Sequence, residues 1–218
     1  MNLWTSALDL LFPPKCPFCQ TVLDDPRAPL CPVCQPLLPW LNEKDTFRKV
    51  EHTEGCWSAL EYRDAVRESV HRFKFSPISA YGQSLGLLVA QCAQNQSGIK
   101  ADCVTWVPLS RKRRRERGFD QAQLMANEVG KLLGVPVERL LVKKRETKRQ
   151  SRLTDHSQRK ANVLGAYEVS TNYALLGKRI LLVDDVVTSG ATLSACTLAL
   201  KRAGASQVWC VTLAQAGK

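Results

Sequence analysis

The sequence of 218 residues has no uninterrupted apolar run near the roughly 20 residues that a transmembrane helix needs. Its beginning, MNLWTSALDLLFPPK, also lacks the basic start, long apolar stretch and small-residue cleavage site of an export signal. We therefore expect a cytoplasmic protein without membrane insertion. Hydrophobic residues make up 44% of the chain, which is enough for one α/β domain plus a small module.

Acidic residues are fewer than basic residues. The chain has 20 Asp and Glu and 31 Lys and Arg, which gives a net charge of +11. The excess lies between residues 111 and 160, where 16 basic and six acidic residues give +10. Such a segment attracts polyanions through its field and through counterion release. A diphosphate and a nucleic acid both fit this charge, and a solvated basic helix is the alternative. Aromatic side chains for base stacking are few there, with only Phe119.

The usage of cysteine does not favour disulfides, because the count of nine is odd and no export signal accompanies it. Two CxxC pairs, separated by 11 residues, contain Cys16, Cys19, Cys31 and Cys34. This spacing is typical of a structural Zn²⁺ site with four thiolates, and the alternative is two unrelated redox or buried pairs. We predict a zinc module over residues 1–50. The other five cysteines are expected to fill the core: Cys56, Cys92, Cys103, Cys196 and Cys210.

From residue 51 to residue 218, strand patterns alternate with helix patterns. This alternation predicts an α/β fold with a doubly wound parallel sheet. The predicted strands cover 57–62, 104–107, 167–169, 179–183 and 207–213. The predicted helices cover 63–75, 80–94, 121–133 and 190–203.

The most informative segment is ILLVDDVVTSGAT, at 180–192. A buried strand ends there in Asp184 and Asp185, at the sheet edge where open α/β folds bind ligands. The following turn offers amides, hydroxyls and a helix N-terminus to a phosphate: Thr188, Ser189, Gly190, Ala191 and Thr192. Since two carboxylates do not favour a phosphate, we expect them to bind sugar hydroxyls with a divalent cation nearby. The pattern predicts a ribose 5-phosphate, and the alternative is an ordinary strand, turn and helix with solvated acids.

Two basic segments complete the predicted site. A turn after the strand at 104–107 can hold a diphosphate leaving group, whose charge must be neutralised in the transition state. The candidates for this contact are Lys74, Ser110, Arg111, Lys112 and Arg117. The segment 143–162 is too polar for the core and too long for an ordinary connection. It predicts an active-site lid carrying Gln150, Arg159 and Asn162, and a disordered basic loop is the alternative.

The segment 180–192 resembles the phosphoribosyl diphosphate (PRPP) signature of the type I phosphoribosyltransferases. With the LLFPPKC start, the CxxC pairs, the HRFKF helix end and the RERGFDQA block, nearly the whole chain resembles the ComF/GntX family. The resemblance implies that Asp184 and Asp185 hold the ribose 2- and 3-hydroxyls of Mg²⁺-PRPP, and that residues 188–192 hold its 5-phosphate. Asp120 stands where many relatives have Asn, which puts a direct phosphate contact by this side chain in doubt.

Three hypotheses for function follow. In the first, the protein is a phosphoribosyltransferase in which an acceptor displaces diphosphate, and no protein nucleophile is needed. Family members are associated with natural transformation or with external DNA as a nutrient, so the second is a single-stranded-DNA-binding adaptor that meets a recombination or uptake protein. The third is a PRPP-sensing regulator without turnover. The sequence does not identify the acceptor.

Overall fold

The computed structural model describes residues 13–25, 27–75, 81–144, 165–170 and 174–217. Its helices are α1 (Cys34–Leu37), α2 (Glu43–Thr46), α3 (Asp64–Phe75), α4 (Tyr81–Gln94), α5 (Arg111–Arg117), α6 (Gln121–Leu133) and α7 (Ala191–Arg202). Its strands are β1 (Phe47–Arg48), β2 (Gly55–Glu61), β3 (Cys103–Trp106), β4 (Leu141–Lys143), β5 (Tyr167–Val169), β6 (Arg179–Val187) and β7 (Gln207–Gln215). The candidate lid residues Gln150, Arg159 and Asn162 lie outside the described residues, so the lid stays a prediction.

The main sheet has five strands in the order β1-β2-β7-β6-β3. Strands β2, β7, β6 and β3 are parallel, and only the short edge strand β1 pairs antiparallel, with β2. Strands β4 and β5 form a separate antiparallel ribbon. The predicted α/β class with a mostly parallel sheet is confirmed.

Both faces of the sheet are covered, which explains the continuous apolar run of β6. Leu181 and Val183 belong to a buried cluster with α3, α4 and α6. Ile180 and Leu182 point to the opposite face and pack with α7. This alternation follows from the two-residue period of a strand. Within the described part of the chain, no helix is long and apolar enough to cross a bilayer.

The close approach of α4 and α6 depends on small side chains. A Cβ atom added at Gly82 would lie 2.6 Å from Leu124 Cβ, and one added at Gly86 would lie 2.8 Å from Glu128 Cγ. These separations are far below van der Waals contact, so a larger residue at either position would push the helices apart. The two helices thereby form a tight layer over β7 and β3.

Several elements differ from the sequence prediction. The turn predicted after the strand at 104–107 ends at Ser110, and 111–117 is helix α5, as in the alternative of a basic helix. The Ser110 hydroxyl caps its start by accepting from the Arg113 amide, and Gly118 ends it with a φ of 79°. Strand β6 continues to Val187, four residues beyond the predicted end, because it stays paired with β7 up to Gln215. The sequence analysis gave no strand at β1 or β4.

The N-terminal cysteine segment shares its core with the α/β domain. Cys16, Phe18 and Cys31 belong to the same buried cluster as Val70 and Phe73 of α3. The boundary at residue 50 stays a prediction, but apolar packing continues across it.

Candidate functional site

A cavity of about 1000 Å³ opens at the carboxyl ends of β3 and β6. Its wall includes both aspartates of the motif, two residues that follow them in the motif, and six cationic side chains. These residues are Asp184, Asp185, Thr188, Thr192, Arg67, Arg72, Lys74, Arg113, Arg117 and Lys143. The position agrees with the general rule that ligands bind beyond the carboxyl ends of parallel strands.

The two aspartates have different surroundings. Asp185 forms an ion pair with Lys74 of α3, at 2.7 Å between Oδ2 and Nζ. Asp184 accepts a hydrogen bond from the Asp185 amide at 2.8 Å. Burial raises the pKa of Asp184 to about 8, the neighbouring Asp185 charge adds to this effect, and Lys74 opposes it. A strongly perturbed carboxyl in a cavity is typical of a binding or catalytic site.

A residue that is distant in the sequence supports the loop between β6 and α7. Arg48 of β1 donates to the Thr188 carbonyl and to the Ala216 carbonyl. Gly190 has a φ of 77°, and a Cβ atom at this residue would lie 3.1 Å from Val50 Cγ2. The backbone therefore turns in a conformation that favours glycine.

Only part of the predicted phosphate loop reaches the cavity. Thr188 and Thr192 belong to its wall, whereas Ser189, Gly190 and Ala191 do not. Ser189 Oγ accepts from the Ala191 amide at 3.4 Å, and the Gly190 carbonyl accepts the helical bond from Ser194. Phosphate binding by these five residues stays a prediction.

The candidates for diphosphate contact divide into two groups. Lys74 and Arg117 belong to the cavity wall. Arg111 and Lys112 are exposed residues of α5 outside this wall, and Ser110 is buried as the helix cap. Their predicted role therefore has no direct support from the cavity.

Four cationic residues of the wall were missed by the sequence analysis: Arg67, Arg72, Arg113 and Lys143. Arg113 lies one helical turn before Arg117 on α5, so both side chains project from one face. Lys143 of β4 donates from Nζ to the Tyr167 hydroxyl of β5 at 3.1 Å. The spacing within α5 could have indicated Arg113 once the helix was recognised, but no local signal pointed to Lys143.

The RERGFDQA block connects the elements around the cavity. Arg117 donates to Gln121 Oε1 at 2.8 Å, and Gln121 Nε2 donates to the Phe73 carbonyl of α3 at 3.2 Å. Asp120 is buried and accepts from the Leu109 amide at 3.0 Å. Burial raises the pKa of Asp120. This carboxyl therefore supports the loop after β3.

The four cysteines of the CxxC pairs come together in the structure. Their Sγ atoms all lie within 4.8 Å of one another, and Cys19 Sγ is 3.5 Å from Cys31 Sγ. Tetrahedral zinc with Zn–S bonds of about 2.3 Å needs sulfur atoms roughly 3.8 Å apart. The Cys34 amide also donates to Cys31 Sγ at 3.4 Å. The cluster can hold a metal ion. The other five cysteines are buried, as expected.

Comparison with known proteins agrees with this geometry. Residues 117–218 match the phosphoribosyl transferase domain model. The DNA utilization protein YhgH of Salmonella typhimurium is 29% identical over 203 residues, which cover 90% of this chain and 82% of that protein. Competence protein F of Haemophilus influenzae is 26% identical over 72% of this chain and 73% of its own length. Competence protein ComFC of Bacillus subtilis is 29% identical over 62% of this chain and 53% of its own length.

Among solved structures, the glutamine PRPP amidotransferase of B. subtilis is similar over 58% of this chain and 24% of its own, with 28% identity and a TM-score of 0.39. The adenine phosphoribosyltransferase of Leishmania donovani covers 74% of this chain and 71% of its own, with 16% identity and a TM-score of 0.38. The family resemblance seen in the sequence is confirmed by the domain match and the relatives. The chain therefore carries a phosphoribosyl transferase domain over residues 117–218, and its relatives named for DNA utilisation and competence are consistent with the ComF family.

Proposed function

We propose that the protein binds Mg²⁺-PRPP in the cavity beyond β6 and transfers its phosphoribosyl group. Asp184 and Asp185 accept hydrogen bonds from the ribose hydroxyls, and the loop at 188–192 binds the 5-phosphate. The observation that supports this most strongly is the cavity wall that combines both aspartates with Thr188, Thr192 and six cationic side chains.

The chemistry is a substitution at the anomeric carbon. The bond from this carbon to the diphosphate oxygen breaks, and the electron pair leaves with the diphosphate. The acceptor atom bonds to the same carbon and loses its proton to solvent. Lys74, Arg113 and Arg117 offset the charge that develops on the leaving group, which is the largest contribution expected of such a site. Mg²⁺ arrives with the substrate phosphates and shares in this neutralisation.

The ion pair between Lys74 and Asp185 suggests how these two side chains rearrange when PRPP binds. When a ribose hydroxyl donates to Asp185, it competes with Lys74 for the same carboxylate. The lysine can then turn its charge toward the diphosphate. Ligand binding thus exchanges an internal ion pair for two contacts to the substrate, so little cationic charge is left without a partner in either state.

The cysteine cluster holds a structural Zn²⁺ in this proposal. Four thiolates close the coordination shell, so the ion supplies folding energy rather than a reactive position. The chain itself buries three of the four cysteines, and Cys19 remains exposed.

The relatives named for competence and DNA utilisation suggest a role in the processing of single-stranded DNA in the cytoplasm. A non-catalytic DNA-binding adaptor is the second candidate function, and one observation favours it. Helix α5 exposes four cationic residues beside the cavity: Arg111, Lys112, Arg114 and Arg115. Such a row of positive charges attracts the phosphate backbone of a nucleic acid, whether that nucleic acid is free or bound to an uptake protein. A PRPP sensor without turnover would use the same cavity.

Calorimetry with PRPP and Mg²⁺ tests the proposal. The wild-type protein should bind, and Asp184→Asn combined with Asp185→Asn should weaken binding strongly. Asp102→Asn is a matched control, because Asp102 pairs with Arg179 at the opposite end of the sheet. A folded wild-type sample that gives no binding heat at several temperatures would contradict the proposal. Release of diphosphate on adding bases, nucleosides or DNA ends then separates the enzyme from the sensor.

A further inference from the structure

The last turn of α3 connects the cysteine cluster to the cavity. Arg72 Nη2 donates to the Pro17 carbonyl at 2.9 Å and to the Phe18 carbonyl at 2.7 Å. Both carbonyls lie inside the first CxxC pair. Two residues later, Lys74 forms its ion pair with Asp185. One helical turn therefore contacts both sites, through side chains two residues apart.

The two side chains leave α3 in different directions, although both belong to the cavity wall. At about 100° per residue, positions two apart on a helix differ by roughly 200°. Phe73 lies between them, is fully buried, and its carbonyl accepts from Gln121. Arg72 thus fixes one side of the turn on the CxxC loop, while Lys74 contacts β6 on the other side. A shift of the loop carbonyls would move the whole turn, because the core around Phe73 is closely packed.

The position of those carbonyls depends on the cysteine cluster. The loop from Cys16 to Gln20 turns through a residue with a φ of 69° at Gln20. Gln20 Nε2 donates to the Cys16 carbonyl at 3.2 Å, and its Oε1 accepts from the Tyr81 hydroxyl at 2.6 Å. A bound metal ion would tie these cysteines to one another and would add to the hydrogen bonds that hold this short loop.

We propose that Arg72 is a positioning residue through which the metal-bound CxxC loop places Lys74 for PRPP binding. This inference rests on the function proposed above and adds a dependence of PRPP affinity on the metal module. A planar guanidinium can bind two carbonyls from one fixed orientation, whereas a lysine ammonium has no such fork. Arg72 also belongs to the cavity wall, but in this inference it acts by positioning Lys74 and not by a contact of its own with the ligand.

A double-mutant cycle tests this coupling. Arg72→Ala should raise the Kd for Mg²⁺-PRPP by about ten- to a hundredfold, the usual effect of removing a support of a binding group. Lys74→Ala should raise it by a similar factor. The double variant should bind no more weakly than Lys74→Ala alone, because the effect of Arg72 passes through Lys74. Arg179→Ala is the control, since it removes an arginine ion pair at the far end of the sheet and should leave the Kd unchanged.

A second variant covers the case in which Arg72→Ala does not fold. Arg72→Lys keeps the charge and most of the packing, and should remain folded with bound zinc. It should still raise the Kd, and amide hydrogen exchange should be faster at 72–75 than in the wild type. Unchanged PRPP affinity and unchanged exchange in this variant would overturn the inference.

The outcomes separate the two proposals. If the wild type does not bind PRPP, the proposed function itself fails. If the wild type binds but Arg72→Ala binds equally well, only the positioning role fails. Additive losses in the double variant would also overturn it, because they would indicate a direct contact of Arg72 with the ligand or general damage to the fold.

Discussion

Replacing Gly190 by alanine adds one methyl group to the loop between β6 and α7. Because Gly190 has a φ of 77°, the new side chain carries the cost of a left-handed conformation, about 1–2 kcal/mol. Its Cβ would also lie 3.1 and 3.2 Å from the two methyl carbons of Val50, so Val50 must move. Overpacking of this kind adds about 1 kcal/mol or more. The total is a large fraction of the roughly 5–15 kcal/mol that holds a domain folded.

Gly134→Ala provides the matched control. Gly134 ends α6 with a φ of 67°, and no atom lies within 4 Å of an added Cβ. In this variant the left-handed backbone conformation destabilises the folded state by the same amount, about 1–2 kcal/mol, but the added methyl group contacts no other atom. It lies outside the cavity wall, so PRPP affinity should not change.

Urea denaturation at a fixed zinc concentration measures the two stabilities, and calorimetry measures PRPP binding. Both variants should have a lower free energy of unfolding than the wild type, and the decrease should be larger for Gly190→Ala. Only Gly190→Ala should bind PRPP more weakly. Equal stability losses in the two variants would refute the crowding argument. Normal PRPP binding by Gly190→Ala would refute the assignment of this loop to the phosphate.

Three further perturbations probe other parts of the molecule. The pKa of Asp184 is raised from 3.8 to about 8 in the folded state. Between these two pH values the folded state keeps a proton that the unfolded state loses, so the free energy of unfolding falls as the pH rises from 3.8 to about 8. Asp184→Asn should therefore gain on the order of 1 kcal/mol over wild type at pH 8 in urea denaturation, but not at pH 4; an equal gain at both pH values would contradict this. Cys19→Ser should lose bound zinc by elemental analysis whereas Cys92→Ala, in the core, should keep it, and retention of one ion by both would exclude Cys19 as a ligand. Replacing Arg114 and Arg115 by Gln should reduce the salt dependence of single-stranded-DNA binding, log K against log salt, by about 1.4, at about 0.7 per lost phosphate contact; an unchanged slope would place DNA elsewhere.

The sequence predicted those elements whose apolar pattern is set by their own residues. Helix α6 was predicted at its observed limits because Met125 and Val129 mark one face and Gly134 ends it. Helix α5 has no buried residue, so no apolar period indicates it, and its helical state depends on the caps Ser110 and Gly118. Strands β1 and β4 have two and three residues and exist through their pairing partners, which local patterns do not indicate.

The same distinction applies to the cavity. The aspartates and Thr188 come from one contiguous motif, and the structure brings them to one wall. Arg48 supports the loop from 140 residues away in sequence, and nothing in its own neighbourhood suggests this contact. Lys143 reaches the wall through the pairing of β4 with β5. Contacts between distant segments are a product of the tertiary fold, so a single sequence could not indicate them.

The common core of the cysteine segment and the α/β domain has a consequence for how the chain can be divided. Cutting at residue 50 would remove Cys16, Phe18 and Cys31 from the buried cluster that they share with Val70 and Phe73 of α3. A fragment that starts at residue 51 would expose apolar surface and would therefore tend to self-associate. Dissection by truncation is therefore poorly suited to this architecture, and point substitutions in the intact polypeptide are the sounder genetic tool.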